Sequence, residues 1–231
     1  MFEAASAPAT ESELMARARA LSGMSLGELA RRFGVAVPEA QLRAKGWVGQ
    51  LLERALGATA GSRAKPDFEA LGIELKTLPV DGRGQPKEST FVCTVALTEI
   101  GQVEWEHSRV RRKLARVLWV PVEAAPALPL AQRRFGEPLL WSPDPEEEAE
   151  LRFDWEELAG RIGVGELEAI TGHFGKHLQL RPKAAHSRVR RRGLDEDGAY
   201  VEAPPRGFYL RPSFTHGLLR KHYAPPAPAR A

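Results

Sequence analysis

Cysteine is almost absent from this chain: Cys93 is the only one in 231 residues. No internal disulfide can form, and no thiolate-rich zinc site can be built. No apolar run approaches the roughly 20 residues of a membrane-spanning helix. The start, Met1-Phe2-Glu3-Ala4-Ala5, lacks the basic and then apolar stretches of a secretory signal. These absences predict a cytoplasmic protein with no membrane partner. There is also no internal repeat, no glycine-rich phosphate loop and no Gly-x-Ser-x-Gly elbow. Of the six histidines, only His173 and His177 stand one helical turn apart. They lack the intervening glutamate of a zinc protease, and Gly172 and Gly175 weaken any helix there, so core or surface positions suit them better.

What is present is a globular composition, 43% hydrophobic and 27% charged, long enough for one large domain or two lobes. The net charge of +3 is modest, but its distribution is not. Arg109 to Arg116 carries five cations in eight residues without an acid. Arg181 to Arg192 holds Arg181, Lys183, Arg188, Arg190, Arg191 and Arg192, again without one, whereas Asp144 to Glu157 is densely acidic. Such segregation gives one positive face, the usual footprint of a phosphate-binding surface. The cations are 25 Arg against 8 Lys. That bias suits forked contacts to phosphates and guanine edges, although a GC-rich genome produces it too.

Capping boxes at Thr10-Glu13 and Ser25-Glu28 open two predicted helices, the second ending at Gly34. A short segment from Pro38 to Lys45 follows. The next helix, Trp47 to Leu56, places Val48, Leu51, Leu52 and Ala55 on one face, with Glu53 to the side of that stripe. Strands are predicted at Gly72–Lys76, Thr90–Leu97, Val117–Val122, Leu178–Lys183 and Gly207–Arg211, with a short extended piece at Pro138–Pro143. Further helices are expected from Pro145, from Val164 to Phe174 and from Ser213 to Tyr223. The proline-rich residues 224–231 are expected to be disordered.

The stretch Lys65 to Lys76 organises this pattern. Gly72-Ile73-Glu74-Leu75-Lys76 alternates apolar with charged residues, so Glu74 and Lys76 project from one strand face. A turn at Leu71-Gly72 would fold Asp67 back beside Glu74. Two carboxylates and an ammonium at a sheet edge suit a hard divalent cation and an anionic substrate. Lys113, just ahead of the Val117 strand, is spaced to reach the same edge. Local spacing alone equally fits an exposed strand face bearing a Glu and a Lys, and a solvated surface position for Glu53. A carboxylate site beside a basic cleft points to phosphodiester hydrolysis.

These residues carry a resemblance. Asp67, Glu74-Leu75-Lys76 and helical Glu53 resemble the PD-(D/E)XK nuclease constellation. The chain more specifically resembles the MutH family, the strand-discriminating endonucleases of methyl-directed mismatch repair. The matching passages include Lys45-Gly46-Trp47-Val48-Gly49, Leu71 to Thr77, Thr90-Phe91-Val92-Cys93, Val117 to Glu123, Gly136 to Pro143, Leu180 to Ala185 and Pro205 to Leu210. The tail lies outside the match, and the Arg188 to Arg192 loop is more basic than the family suggests.

The resemblance implies a restriction-endonuclease-like α/β fold: a central mixed sheet flanked by helices, with residues 1–223 forming one domain of two arms around a DNA-binding cleft. It implies a Mg2+-dependent nick in the unmethylated strand of a hemimethylated GATC site, with Mn2+ or Ca2+ able to occupy the metal site. Asp67, Glu74, the Leu75 carbonyl and Glu53 would hold metal, and Lys76 and Lys113 would act at the scissile phosphate. Arg181 and Tyr209 would read sequence and methylation, with Lys183, Phe91 and Lys45 as further DNA contacts. Taken alone, Tyr209 and Phe91 read as strand core. The implied partners are double-stranded DNA, the activator MutL and, indirectly, MutS, for a monomeric enzyme. Two alternatives remain at this point: a restriction-type enzyme cutting both strands, and a non-catalytic DNA-binding module.

Overall fold

Strand β1 (Glu74–Val80) runs parallel to β3 (Val117–Glu123), which pairs antiparallel with the short β4 (Leu139–Trp141). The computed structural model describes residues 5–39, 46–61, 65–183, 190–195 and 197–223. Alternation along β1 and β3 sends successive side chains to opposite faces. Leu78, Val80, Val117 and Trp119 enter one hydrophobic core, and Leu75, Leu118, Val120 and Val122 enter another. Three helices cover the second core: α1 (Glu11–Arg19), α2 (Leu26–Phe33) and α3 (Trp47–Leu56). Thr10 and Ser25 accept from the backbone amides of Glu13 and Glu28; Glu28 returns the bond to the Ser25 amide and completes that box, whereas the Glu13 carboxylate accepts the Ala9 amide and not that of Thr10.

The first core lies under an antiparallel sheet of order β2–β8–β5, formed by Thr90–Thr94, Arg206–Leu210 and Leu178–Pro182. The basic run forms a short helix, α4 (Arg109–Leu114). The acidic stretch forms α5 (Pro145–Gly163), capped by Asp144, and α6 (Pro212–Tyr223) closes the described chain. Among the described residues the mixed β1–β3–β4 sheet, flanked by helices as expected, is joined by this second three-stranded sheet and by a hairpin of β6 (Arg191–Leu194) and β7 (Tyr200–Ala203) that periodicity did not signal. No helix among the described residues is long and apolar enough to cross a membrane.

The helix expected from Val164 to Phe174 is not formed. Only a single 3-10 turn, Leu167–Ala169, occurs there. Gly165 and Gly175 have φ of +85° and +76°, values that break a right-handed helix. Leu167 is buried and Ile170 and Phe174 pack on the same core, so the apolar spacing that suggested a helix serves an irregular segment.

A buried carboxylate fixes the start of β5. Asp154 on α5 is 1% exposed and accepts the backbone N–H groups of Lys176, His177 and Leu178 at 2.7, 2.6 and 2.8 Å. At Gly175 a Cβ would stand 1.8 Å from the Leu178 carbonyl, so only glycine allows this approach. Asp154→Ala leaves three amides without their acceptor and should lower the unfolding free energy by about 3 kcal/mol. Asp154→Asn, which keeps one carbonyl oxygen, should cost less, with both variants compared to wild type by urea titration.

Candidate active site

The Glu74 amide donates to the Arg116 carbonyl at 2.9 Å, on the β3 side. Alternate residues of a strand turn their amide groups to opposite sides. The N–H and C=O of Leu75 therefore face the free edge of β1. Asp67 occupies that edge, its Oδ2 accepting the Leu75 N–H at 2.8 Å. The reversal that brings it there is a 3-10 turn, Glu69–Leu71, ended by Gly72 in the left-handed region at φ +67°. Phe68 and Ile73 close the turn by exchanging backbone bonds of 2.9 and 3.3 Å.

Glu74 is 3% exposed, which excludes the solvated strand face. Its two oxygens receive separate ammonium groups, Lys76 Nζ on Oε1 at 2.6 Å and Lys113 Nζ on Oε2 at 2.8 Å. Lys113 comes from α4, which the sequence showed only as a charge run. Ser108 caps this helix by accepting the Arg111 amide at 3.0 Å, and Val110 and Leu114 are buried. A further bond from Lys113 Nζ to the Lys65 carbonyl, 2.6 Å, ties the helix to the segment carrying Asp67.

Burial, reinforced by the negative charge of Glu74, raises the Asp67 carboxyl to about 6. Glu53 is half-buried on α3 and is raised for the same two reasons. Among the described residues no three Asp, Glu, His or Cys side chains stand close enough to hold one ion between them. The donors nevertheless fit a hard divalent cation. Two buried carboxylates and an edge-facing carbonyl offer oxygen only, and three acids (Glu53, Asp67, Glu74) face two ammonium groups. One more cation would offset the Glu74 charge, which adds to burial in raising Asp67.

Beside this cluster runs a groove of about 740 Å³ between α3 and the β2–β8–β5 sheet, with Glu53, Lys76, Thr77, Phe91, Arg181, Lys183 and Tyr209 in its walls. Phe91 is half-buried and not core: its ring meets Tyr209 edge-on at 5.3 Å, and the Lys183 ammonium lies 3.8 Å above it. Arg181 lies 5.8 Å from the Tyr209 ring and donates to Ser89 Oγ at 3.0 Å, an oxygen that also accepts from Gln179 at 2.8 Å. Ser89 and Gln179 escaped sequence reasoning. The one available signal was that Gln179 shares the strand face of Arg181. Lys45, Arg188 and residues 224–231 lie outside the described residues.

A buried acid pair at the edge of a mixed sheet, lysines on the glutamate and a cationic groove alongside define a nuclease of the restriction-endonuclease-like class. A family profile described as "DNA mismatch repair enzyme MutH" matches residues 56–154. Over 219 residues, 95% of each chain, the sequence is 53% identical to the DNA mismatch repair protein MutH of Klebsiella pneumoniae. It is 53% identical to the Escherichia coli protein of that name, over 94% of this chain and 95% of that one. Identity to the Salmonella paratyphi C protein is 54%, over 94% of each. The chain belongs to the MutH family, the divalent-metal-dependent endonucleases of DNA mismatch repair.

The raised value of Asp67 sets a pH dependence in metal-free buffer. The folded protein holds an extra proton between about pH 4 and 6, so this residue's contribution to stability is present below that window and lost as pH rises through it. Asp67→Asn keeps the bond to the Leu75 amide and removes the charge. Its melting temperature should match wild type near pH 4 and exceed it above pH 7, by the equivalent of about 2 kcal/mol.

Proposed function

We propose that this chain nicks the unmethylated strand of hemimethylated GATC duplexes in the cytoplasm, with Mg2+ as cofactor and MutL as activator, MutS acting through MutL. The observation that carries this reading is Glu74, buried beside Asp67 with a lysine on each oxygen at the head of the groove. Asp67, Glu74 and the Leu75 carbonyl would hold the metal, with Glu53 completing the site from α3. When bound, Mg2+ polarises a phosphate oxygen, lowers the pKa of water and neutralises the leaving oxygen.

The chain's own groups supply the remainder. Lys76, fixed on Glu74, orients the attacking water and offers a proton donor to charge developing at the scissile phosphate. Lys113 holds the opposite side of that phosphate. Arg181, propped by Ser89, presents its fork to a base edge. Tyr209, packed on Phe91, faces the major groove where an adenine N6-methyl group would be felt by contact. Lys183 and Phe91 extend the same wall, and Lys45 is a further DNA contact in this reading.

The test is a nicking assay with Mg2+ and MutL on hemimethylated, unmethylated and fully methylated duplexes. Wild type should cut the first two and spare the third. Glu74→Ala and Lys76→Ala should each slow single-turnover nicking by about 10²–10³-fold, with DNA binding retained. Binding without cleavage by wild type even with MutL would make the protein a DNA-binding module. Equal cutting of fully methylated DNA would overturn the methylation reading. Tyr209→Ala should narrow the preference for hemimethylated over fully methylated duplex.

A further inference from the structure

The cations of Arg109 to Arg116 are not equivalent. Three are matched to carboxylates: Arg111 to Glu148 at 2.8 Å, Lys113 to Glu74 at 2.8 Å and Arg116 to Glu11 at 2.7 Å. Arg109 and Arg112 are exposed, and among the described residues neither is paired with a carboxylate; Arg112 reaches only the His107 carbonyl, at 3.5 Å. Val110 and Leu114 anchor one side of α4 in the core, which turns Arg109 and Arg112 to solvent, while Lys113, beside them on the helix, reaches in to Glu74. Arg109 precedes Lys113 by one turn, roughly 6 Å along the axis, about the separation of successive phosphates on one DNA strand.

Burial pushes the Cys93 thiol up to about 11, and the charges acting against that shift are Lys76, Arg109 and Lys113. Arg109 therefore shares the electrostatic neighbourhood of the site. Arginine stays charged and meets phosphate oxygens two at a time. A strand whose reacting phosphate lies at Lys76 and Lys113 must place its neighbouring phosphates beyond the carboxylates, along α4 or away from it.

We propose that Arg109 and Arg112 grip the phosphates of the cut strand next to the scissile one, so that α4 is a backbone rail continuing the active site past Glu74. This rests on the nuclease reading above. The rail carries no sequence information: it fixes the position of the strand along β1, while Arg181 and Tyr209 read the bases.

The test is binding of the full chain, followed by fluorescence anisotropy in Ca2+, to a GATC duplex and to a random duplex between about 50 and 200 mM salt. Arg109→Gln and Arg112→Gln should each weaken both complexes and lower the slope of log K against log salt by about 1. Arg109→Lys should restore the slope, which separates charge from packing. In a second arm, single methylphosphonates replace each phosphate flanking the cut. One neutral linkage should weaken wild-type binding about tenfold and leave the double variant Arg109→Gln, Arg112→Gln unaffected. Slopes equal to wild type, or the same methylphosphonate loss in wild type and double variant, would overturn the rail while wild-type nicking leaves the nuclease reading standing. Absence of nicking by wild type with MutL would overturn both.

Discussion

A carboxylate at the start of a strand, taken almost wholly out of water, is the constraint on which the other features depend. Burying the charge of Glu74 costs several kcal/mol unless cations and hydrogen bonds meet it. Lys76 meets it from the same strand and Lys113 from a helix anchored in the neighbouring core. The second contact explains the shape of α4. Six residues make a poor helix in isolation, and here a Ser108 cap, two buried side chains and a tie to the Lys65 carbonyl hold it. The acid pair is thus pre-organised in a setting where both carboxylates are starved of solvent.

The two cores give that pair its surroundings. Because the β1–β3 ladder serves both, its free edge opens where the helical side and the antiparallel-sheet side part, and the groove follows this seam. Its far wall depends on an interaction remote from any chemistry. Asp154 collects three amides at the entry to β5, and β5 then carries Arg181, with Lys183 just after it, into the groove. Ser89, immediately before β2, accepts from the Arg181 guanidinium, and the Tyr209 ring of β8 lies beside it, so two other segments hold this side chain. Such support makes a polar reader rigid, and a rigid reader discriminates better than a mobile one.

Charge on this molecule is divided between neutralised and available cations. Arg111 ties α4 to α5, and Arg116, just ahead of β3, ties that strand's start to α1, both at a solvent-screened surface. Arg109 and Arg112 lie exposed on α4, and Arg181 faces the groove. A modest net charge is enough when the unspent part is gathered on one side.

Local order was readable from composition and spacing. The Ser25-Glu28 box, the Leu71-Gly72 turn and the alternation from Gly72 to Lys76 all act within a few residues, so neighbours in the chain decide them. Resemblance in Asp67, Glu74-Leu75-Lys76 and the passages around them supplied the family. Spacing misled where glycine conformation outweighed apolar period, between Val164 and Phe174. It stayed silent on the β6–β7 hairpin and placed Phe91 in the core. Only the tertiary structure decided that Glu74 is buried, that Lys113 crosses 39 positions to reach it and that Phe91 and Tyr209 form one wall. The reason is that a buried charge is stable only when distant partners arrive together, and periodicity along a chain carries no record of which distant partners those are.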